Sequence, residues 1–267
     1  MRLAISVIGW QAEDDDTALV SLAEAGARGF EVAPTRVFGS WEAATPAAVG
    51  AYRERCAEHD LEIPALQSLM FGIDGASLTE DVESRRIAAE HLERVAEIAG
   101  GLGAGAAVFG SPANRRRGDL DWGEAARRAS EVLRRAGEAF AANESQLVLE
   151  HNPPEYGCDF LTTWDEMADF VAEVDHPGVA PHLDLGGLRL TGEDYPSLHS
   201  RLPGHLHLSA PNLAPFDAEP ADWHRALLGR LRAAGYDGWA SIEQRPAGEG
   251  LEAPLSAIAA ARGVLDG

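Results

Sequence analysis

Eight short runs of apolar and β-branched residues recur along the whole chain, and longer stretches with helical periodicity separate them. The runs are LAISVIG (3–9), FEVAP (30–34), IPALQSL (63–69), AAVFGSP (106–112), LVLEHNP (147–153), VAPHLDLG (179–186), HLHLSAP (205–211) and WASIEQR (239–245). Between them, as in residues 121–143, apolar side chains return every three or four positions. Alternation of this kind is typical of a parallel sheet, because each helix returns the chain to begin the next strand in the same direction.

The length of the repeating unit decides between the two common parallel architectures. Eight units in 267 residues average roughly 33 residues each. That length suits a (β/α)8 barrel of about 250 residues better than an open sheet with a second domain. No linker or low-complexity segment divides the chain. We therefore predict a single α/β domain over residues 1–267, folded as a (β/α)8 TIM barrel.

The charge of the chain excludes several classes of function. The formal net charge is -21, and all 22 basic residues are arginines. A surface this acidic repels phosphate backbones, so we expect no nucleic-acid partner. Schiff-base aldolases and pyridoxal-phosphate enzymes need a lysine amine, and the absence of lysine excludes both.

Cysteine positions and hydropathy bear on the kinds of site that the chain can form and on its cellular location. Cys56 and Cys158 stand far apart and outside any Cys-x-x-Cys pattern, which argues against a disulfide framework and a thiolate zinc site. No segment holds 18 consecutive apolar residues, and the first ten residues lack the pattern of a secretory leader. We expect a cytoplasmic protein with a small-molecule substrate and no membrane partner. The sequence is compatible with a homo-oligomer.

Metal-type ligands stand at the ends of the last four runs: Glu150, Asp184, His207 and Glu243. In a parallel barrel the strand ends and the loops that follow them form the functional face. Burying such groups next to apolar strands is costly without a common partner. Three carboxylates and one imidazole suit one divalent ion of the Mn, Mg, Co, Fe or Zn type. His205 precedes His207 by two positions and therefore faces the same side.

The Glu, Asp, His, Glu order on runs five to eight resembles the xylose isomerase-like barrel group. That group contains sugar and sugar-phosphate isomerases and epimerases, including ketose 3-epimerases, inosose isomerases and dehydratases, and the endonuclease IV relatives. The resemblance covers nearly the whole chain. It implies one divalent metal on Glu150, Asp184, His207 and Glu243, with the two glutamates also moving protons. It also implies that His207 faces the metal and that His205 lies one layer deeper.

The function that follows is isomerisation or epimerisation of a small polyhydroxy carbonyl compound: a sugar, a sugar phosphate or an inosose. The metal would stabilise the enediolate formed when a proton leaves the carbon next to the carbonyl. Glu150 and Glu243 would remove and return that proton as the catalytic residues.

Three alternatives stay open. A lyase, such as a dehydratase of the inosose or dehydroshikimate type, would use the same metal-stabilised enediolate and then expel a hydroxyl group. An apurinic-site endonuclease needs more histidines for several zinc ions and a basic groove, and nine histidines with a net charge of -21 count against it. A non-catalytic binding or partner subunit would not need the complete set of metal-type ligands.

The chain departs from ketose 3-epimerases at three substrate-contact positions. Gly187 stands where they carry a histidine, Leu213 where they carry an arginine, and Ala210 where they carry a glutamate. The substrate contacts must therefore come from elsewhere. We expect His182 and His205 to donate hydrogen bonds that orient the metal ligands, and His151 to have a packing or loop role. The candidate substrate contacts are Asn152, Glu155, Arg245, the anion-attracting Arg115, Arg116 and Arg117, and the aromatic wall residue Trp10.

Overall fold

The computed structural model describes residues 1–193 and 202–266, and this part of the chain forms a parallel eight-stranded sheet. The strands are β1 (Arg2–Ser6), β2 (Gly29–Glu31), β3 (Ala65–Leu66), β4 (Ala106–Phe109), β5 (Gln146–Glu150), β6 (Val179–Asp184), β7 (His205–Ser209) and β8 (Trp239–Glu243). Their spatial order is β2-β1-β8-β7-β6-β5-β4-β3. Two isolated parallel bridges, Gly29 to Glu62 and Val32 to Leu66, bring the two edges together and nearly close the barrel. The predicted (β/α)8 barrel is confirmed.

Helices cover the outside of the sheet. They are α1 (Asp15–Ala25), α2 (Pro34–Phe38), α3 (Pro46–Ala57), α4 (Val82–Leu102), α5 (Trp122–Ala142), α6 (Trp164–Val174), α7 (Leu185–Thr191), α8 (Ala221–Ala233) and α9 (Glu252–Leu265). Side-chain oxygens cap the two longest helices at their N-termini, Asp81 on α4 and Asp121 on α5. Gly26 ends α1 in the left-handed conformation that glycine adopts without strain.

Strand register places the polar strand ends at one face of the barrel. Glu150, Asp184 and Glu243 are the last residues of β5, β6 and β8, so all three reach the carboxyl-terminal mouth. His207 lies two residues before the end of β7 and pairs in register with Asp184. The mouth is therefore the place where the polar ends of neighbouring strands meet.

The strands are shorter than the sequence runs, most clearly at β3. The run at 63–69 contains only the two-residue strand Ala65–Leu66, which begins directly after Pro64. Proline donates no ladder hydrogen bond, so it delays the start of pairing. Among residues 1–193 and 202–266, no helix is long and apolar enough to span a membrane.

Candidate metal centre

Four side chains from four neighbouring strands converge at the mouth of the barrel. One potential ligand atom from each of Glu150, Asp184, His207 and Glu243 lies within 4.8 Å of the others. His207 Nδ1 lies 3.3 Å from Glu243 Oε2 and 3.9 Å from Asp184 Oδ2. The four residues named from the sequence therefore form one cluster, with three carboxylates arranged around one imidazole nitrogen.

Hydrogen bonds fix the orientation of Asp184 within this cluster. The Gly187 amide donates to Asp184 Oδ1, and the Ser209 hydroxyl donates to Asp184 Oδ2. The Gly186 amide in turn donates to Ser209 Oγ over 2.8 Å. Because β7 supplies the serine and the first turn of α7 supplies both amides, the carboxylate is held between two elements of the barrel.

The carboxylates destabilise one another when they are ionised. Burial raises the pKa of Glu150 to about 8, with a further increase from the charges of Asp184 and Glu243. Burial and the charge of Glu243 likewise raise the pKa of Asp184 to about 6. Burial lowers the pKa of His207, but Glu31 and Glu243 outweigh burial and raise it well above its usual range. The cluster thus favours a bound positive charge.

The donor set fits a divalent cation. His207 Nδ1 is buried and has no hydrogen-bond partner within the described chain, yet it faces two carboxylates. Three carboxylates and one imidazole are ligands that the harder divalent transition ions and magnesium accept. A cation here would also offset the mutual repulsion of the three carboxylates.

The two histidines that we expected to orient the metal ligands, His182 and His205, lie deeper in the barrel and are buried. His205 Nε2 lies 3.1 Å from Glu31 Oε2, and Glu31 Oε1 lies 2.8 Å from His207 Nε2. The ring centroid of His182 lies 4.2 Å from that of His207. Neither ring nitrogen of His182 has a hydrogen-bond partner among the residues that the structure describes. Burial, followed by His207 and His205, lowers the pKa of His182 well below its usual range.

Sequence reasoning missed Glu31, although a signal for it was present. Glu31 interrupts the apolar run FEVAP just as Glu150 interrupts LVLEH, and it is fully buried. Burial raises the pKa of Glu31, but His207 and His205 outweigh burial, and the pKa lies well below its usual range. The strand-end criterion, applied to β2 as well as to β5–β8, would have found this residue.

A cavity of about 280 Å³ opens above the cluster. Its lining residues are Gln67, Ser68, Val108, Gly110, Ser111, Pro112, Glu150, Leu213 and Glu243. The two glutamates are its charged lining residues, and the remaining lining side chains are neutral. A Cβ at Gly110 would overlap the Glu150 carboxylate, so a larger residue at this position would displace that carboxylate. The cavity therefore presents two carboxylates to a small molecule.

The three consecutive arginines do not line this cavity. Arg115 is fully buried and donates through Nη1 to the backbone oxygen of Glu150. Arg116 and Arg117 line a separate, larger cavity of about 710 Å³, and Arg116 Nε donates to the Gly157 oxygen. Arg115 thus stabilises the end of β5 through a hydrogen bond to its backbone, whereas Arg116 and Arg117 lie at the other cavity.

The remaining candidates occupy varied positions around the mouth. Asn152 is buried, and its Nδ2 has no partner within the described residues. Glu155 and Arg245 are exposed, and the backbone amide of Arg245 donates to the Leu213 oxygen over 2.9 Å. Trp10 is buried outside the cavity lining, and its indole nitrogen donates to Asp15 over 2.8 Å.

His151 is buried and fills the space beside Gly187. A Cβ at residue 187 would lie 2.8 Å from His151 Nε2, so no larger residue fits there without a shift of the imidazole. Burial, followed by the charge of Arg115, lowers the pKa of His151 to about 3. The position that carries a histidine in ketose 3-epimerases is thus packed by an imidazole that comes from the end of β5.

Tyr156 is a further residue at the mouth that carried no signal in the sequence. Its hydroxyl oxygen accepts a hydrogen bond of 3.0 Å from the amide of Asn212, in the loop after β7. Burial raises the pKa of Tyr156, and the charges of Asp184, Glu150 and Glu243 add to the effect. Because its oxygen accepts from Asn212, the hydroxyl proton of Tyr156 remains for another acceptor.

Comparison with known proteins identifies the family. Residues 19–262 match the model of the xylose isomerase-like TIM barrel family. The chain belongs to that family. None of the curated protein sequences matches the chain.

Solved structures share the fold over nearly the full length. One is 3-keto-D-glucoside 4-epimerase, YcjR, from E. coli, with a TM-score of 0.75, 17% identity and 100% coverage of both chains. Another is the IOLI protein with a bound zinc atom, with a TM-score of 0.77, 16% identity and coverage of 100% of this chain and 98% of that one. A third is an AP endonuclease of family 2 from Brucella melitensis, with a TM-score of 0.69, 18% identity and coverage of 94% and 96%. At these identities the likeness shows the fold.

Proposed function

We propose that this protein is a divalent-metal-dependent isomerase or epimerase of a small polyhydroxy carbonyl compound, such as a sugar, a sugar phosphate or an inosose. The observation that carries the proposal is the cluster of Glu150, Asp184, His207 and Glu243 beneath a small cavity, with both glutamates among the lining residues. The epimerase YcjR and the zinc-bound IOLI protein, which share the fold, support it.

The chain supplies two carboxylates for proton transfer. Glu150 and Glu243 stand at the ends of β5 and β8 and reach the same cavity from different strands. One carboxylate can therefore accept the proton on the carbon next to a substrate carbonyl, while the other returns a proton to that carbon or its neighbour. Glu150, Asp184, His207 and Glu243 would hold the divalent cation, which when bound would supply Lewis-acid polarisation of a substrate carbonyl.

The neutral walls suit an uncharged hydroxyl-rich substrate. Gln67, Ser68 and Ser111 offer hydrogen-bonding groups, whereas Val108 and Leu213 offer apolar surface. A sugar presents hydroxyls and C–H faces to such surroundings. The same walls, together with the net charge of -21, do not favour a nucleic-acid phosphate backbone, which distinguishes this site from an apurinic-site nuclease.

The test is solvent exchange in deuterated buffer. Protein reconstituted with Mn²⁺ or Zn²⁺ is incubated with a panel of ketoses, inososes and sugar phosphates, and NMR follows deuterium entry at the carbon next to the carbonyl. We expect exchange and a new isomer with at least one compound, and no exchange after chelation. Loss of water with formation of an enone would instead identify a dehydratase. If no compound in the panel exchanges with the metal-loaded protein, the proposed function is wrong.

A further inference from the structure

Glu31 is a carboxylate in the barrel interior that neither the cavity nor the four-residue cluster contains. It ends β2, is fully buried, and contacts two histidines of β7 with its two oxygens. Glu31 Oε1 lies 2.8 Å from His207 Nε2, and Oε2 lies 3.1 Å from His205 Nε2. Burial of an ionised carboxylate without such partners would cost much free energy. The two histidines therefore stabilise the charge of Glu31.

The two nitrogens of His207 face different groups. Nε2 faces Glu31, while Nδ1 faces Glu243 at 3.3 Å and Asp184 at 3.9 Å. An ionised carboxylate only accepts hydrogen bonds, so Nε2 has to carry the proton in this contact. In a neutral imidazole the lone pair then belongs to Nδ1, the nitrogen that faces the cluster.

His205 completes the arrangement from below. Its Nε2 meets the second oxygen of Glu31, and both residues are buried. With both oxygens engaged, Glu31 is held in one orientation between β2 and β7. The carboxylate therefore presents a fixed acceptor to His207 and does not adapt to it.

We infer that Glu31 is the positioning residue of the centre: it fixes the Nε2–H tautomer of His207, so that Nδ1 is the atom offered to a metal, and His205 fixes Glu31. The inference rests on the proposed function, because it assigns an outer partner to the proposed metal ligand. Partners of this kind typically contribute about 10- to 100-fold to metal affinity.

An ion pair that only stabilises the core would also explain a buried carboxylate between two histidines. That explanation predicts lower thermal stability on substitution but no selective loss of metal binding. The positioning role predicts in addition that zinc binds His207 through Nδ1 and that its Nε2 keeps a proton.

The experiment combines metal titration with NMR on the full chain. Glu31→Gln keeps the volume of the side chain but replaces the carboxylate, and Ser241→Ala is the matched control, because Ser241 is fully buried and pairs in register with His207. We expect the zinc dissociation constant, measured by chelator competition, to rise about 10- to 100-fold in Glu31→Gln. It should stay within about twofold of the parent value in Ser241→Ala. If Glu31→Gln folds and binds zinc as tightly as the parent, the inference is overturned.

The NMR measurement needs no variant and therefore survives a folding failure of Glu31→Gln. In the zinc-loaded parent protein labelled with ¹⁵N-histidine, we expect His207 to show a protonated Nε2 and a coordinated Nδ1. Coordination through Nε2 overturns the inference and leaves the proposed function in place. A parent protein that binds no zinc and no manganese contradicts the proposed metal centre, and the role of Glu31 falls with it.

Discussion

The two halves of the barrel mouth differ in what their strand ends supply. Strands β5 to β8 each contribute a metal-type ligand, and these four side chains form a single cluster. On the other half, Glu31 of β2 turns to the histidines of β7, and the cavity wall is built from neutral residues such as Gln67, Ser68 and Gly110. The β5–β8 half therefore holds the cluster of three carboxylates, and the other half lines the cavity with neutral residues.

The difference has an electrostatic reason. Burial, together with the charges of the neighbouring carboxylates, raises the pKa values of Glu150 and Asp184, whereas the neutral wall needs no counter-charge. A divalent ion bound by the cluster would relieve this repulsion, and the neutral wall has no such repulsion to relieve. Substitutions on that side should therefore abolish chemistry or metal binding, and substitutions around the rest of the mouth should have smaller effects.

The largest effect is expected for Glu243→Gln. Glutamine keeps an oxygen for the metal and nearly the same volume, but it cannot accept a proton at neutral pH. Turnover should fall by about 10²- to 10⁴-fold, the usual contribution of general acid-base catalysis, with metal still bound. Steady-state kinetics and metal analysis are measured together, with the exposed Glu249→Gln as the control. A variant that retains metal and exchanges the substrate proton at nearly the parent rate would limit Glu243 to metal binding.

The next effect is on the pH dependence of stability in the metal-free protein. The folded-state pKa of Glu150 is raised from its ordinary value of 4.5 to about 8, so the folded state holds this proton more tightly than the unfolded chain does. Its contribution to stability is complete below about pH 4.5 and is lost as the pH rises through 8.

Thermal unfolding between pH 5 and pH 9 measures this loss. One pH unit of pKa shift corresponds to about 1.4 kcal/mol, and 1 kcal/mol to about 2–4 °C for a chain of this size, so the melting temperature should fall by about 10 °C or more. Glu150→Gln should flatten the profile. An equally steep profile in that variant would place the titrating group elsewhere.

A smaller effect is expected for Tyr156→Phe, in the loop that follows β5. The change removes one hydroxyl, which accepts from the Asn212 amide and can donate into the site. Because a single hydrogen bond contributes about 0.5–1.5 kcal/mol, kcat/KM should fall about two- to tenfold with unchanged metal affinity. The control is Tyr236→Phe. The hydroxyl of Tyr236 donates to the Trp239 oxygen at the start of β8. Equal losses in both variants would indicate a general effect on folding.

The smallest effect is expected for Arg245→Met. The exposed guanidinium can contact a substrate group at the rim, while the backbone amide of Arg245 keeps its bond to Leu213. KM should rise a few-fold, more than kcat falls, because such a contact acts on substrate and transition state alike. The control is Arg53→Met, measured by the same steady-state kinetics. Arg53 is another exposed arginine, and it donates from α3 to the Gly101 oxygen. An unchanged KM would show that Arg245 contributes nothing to binding.

The fold and the convergence of the four strand-end side chains could be predicted because both depend on local patterns. Alternation of β-type runs with helical periodicity specifies the barrel, and the barrel brings consecutive strand ends to one mouth. The positions of Glu150, Asp184, His207 and Glu243 then follow from strand order. The contact of Glu31 with His207 depends on the closure of the barrel across β1 and β8, which no local pattern reports.

The loops could not be predicted to the same degree. Tyr156 reaches the mouth through a short 3-10 turn, and it meets Asn212, which has a left-handed backbone with φ of 60°. The three arginines looked like one anion-binding group in sequence, but Arg115 turns inward while Arg116 and Arg117 face another cavity. Side-chain directions in such loops are set by contacts from distant parts of the chain.

The most direct test of the account is metal binding by the parent protein and by His207→Ala. Metal-free protein is titrated with Mn²⁺ or Zn²⁺ by calorimetry, and the bound metal is counted by elemental analysis after desalting. We predict one divalent ion per chain in the parent and loss of this site in His207→Ala, because His207 Nδ1 lies between the carboxylates of Asp184 and Glu243. Equal stoichiometry and affinity in a folded His207→Ala variant would contradict the assignment of the metal centre to β5–β8.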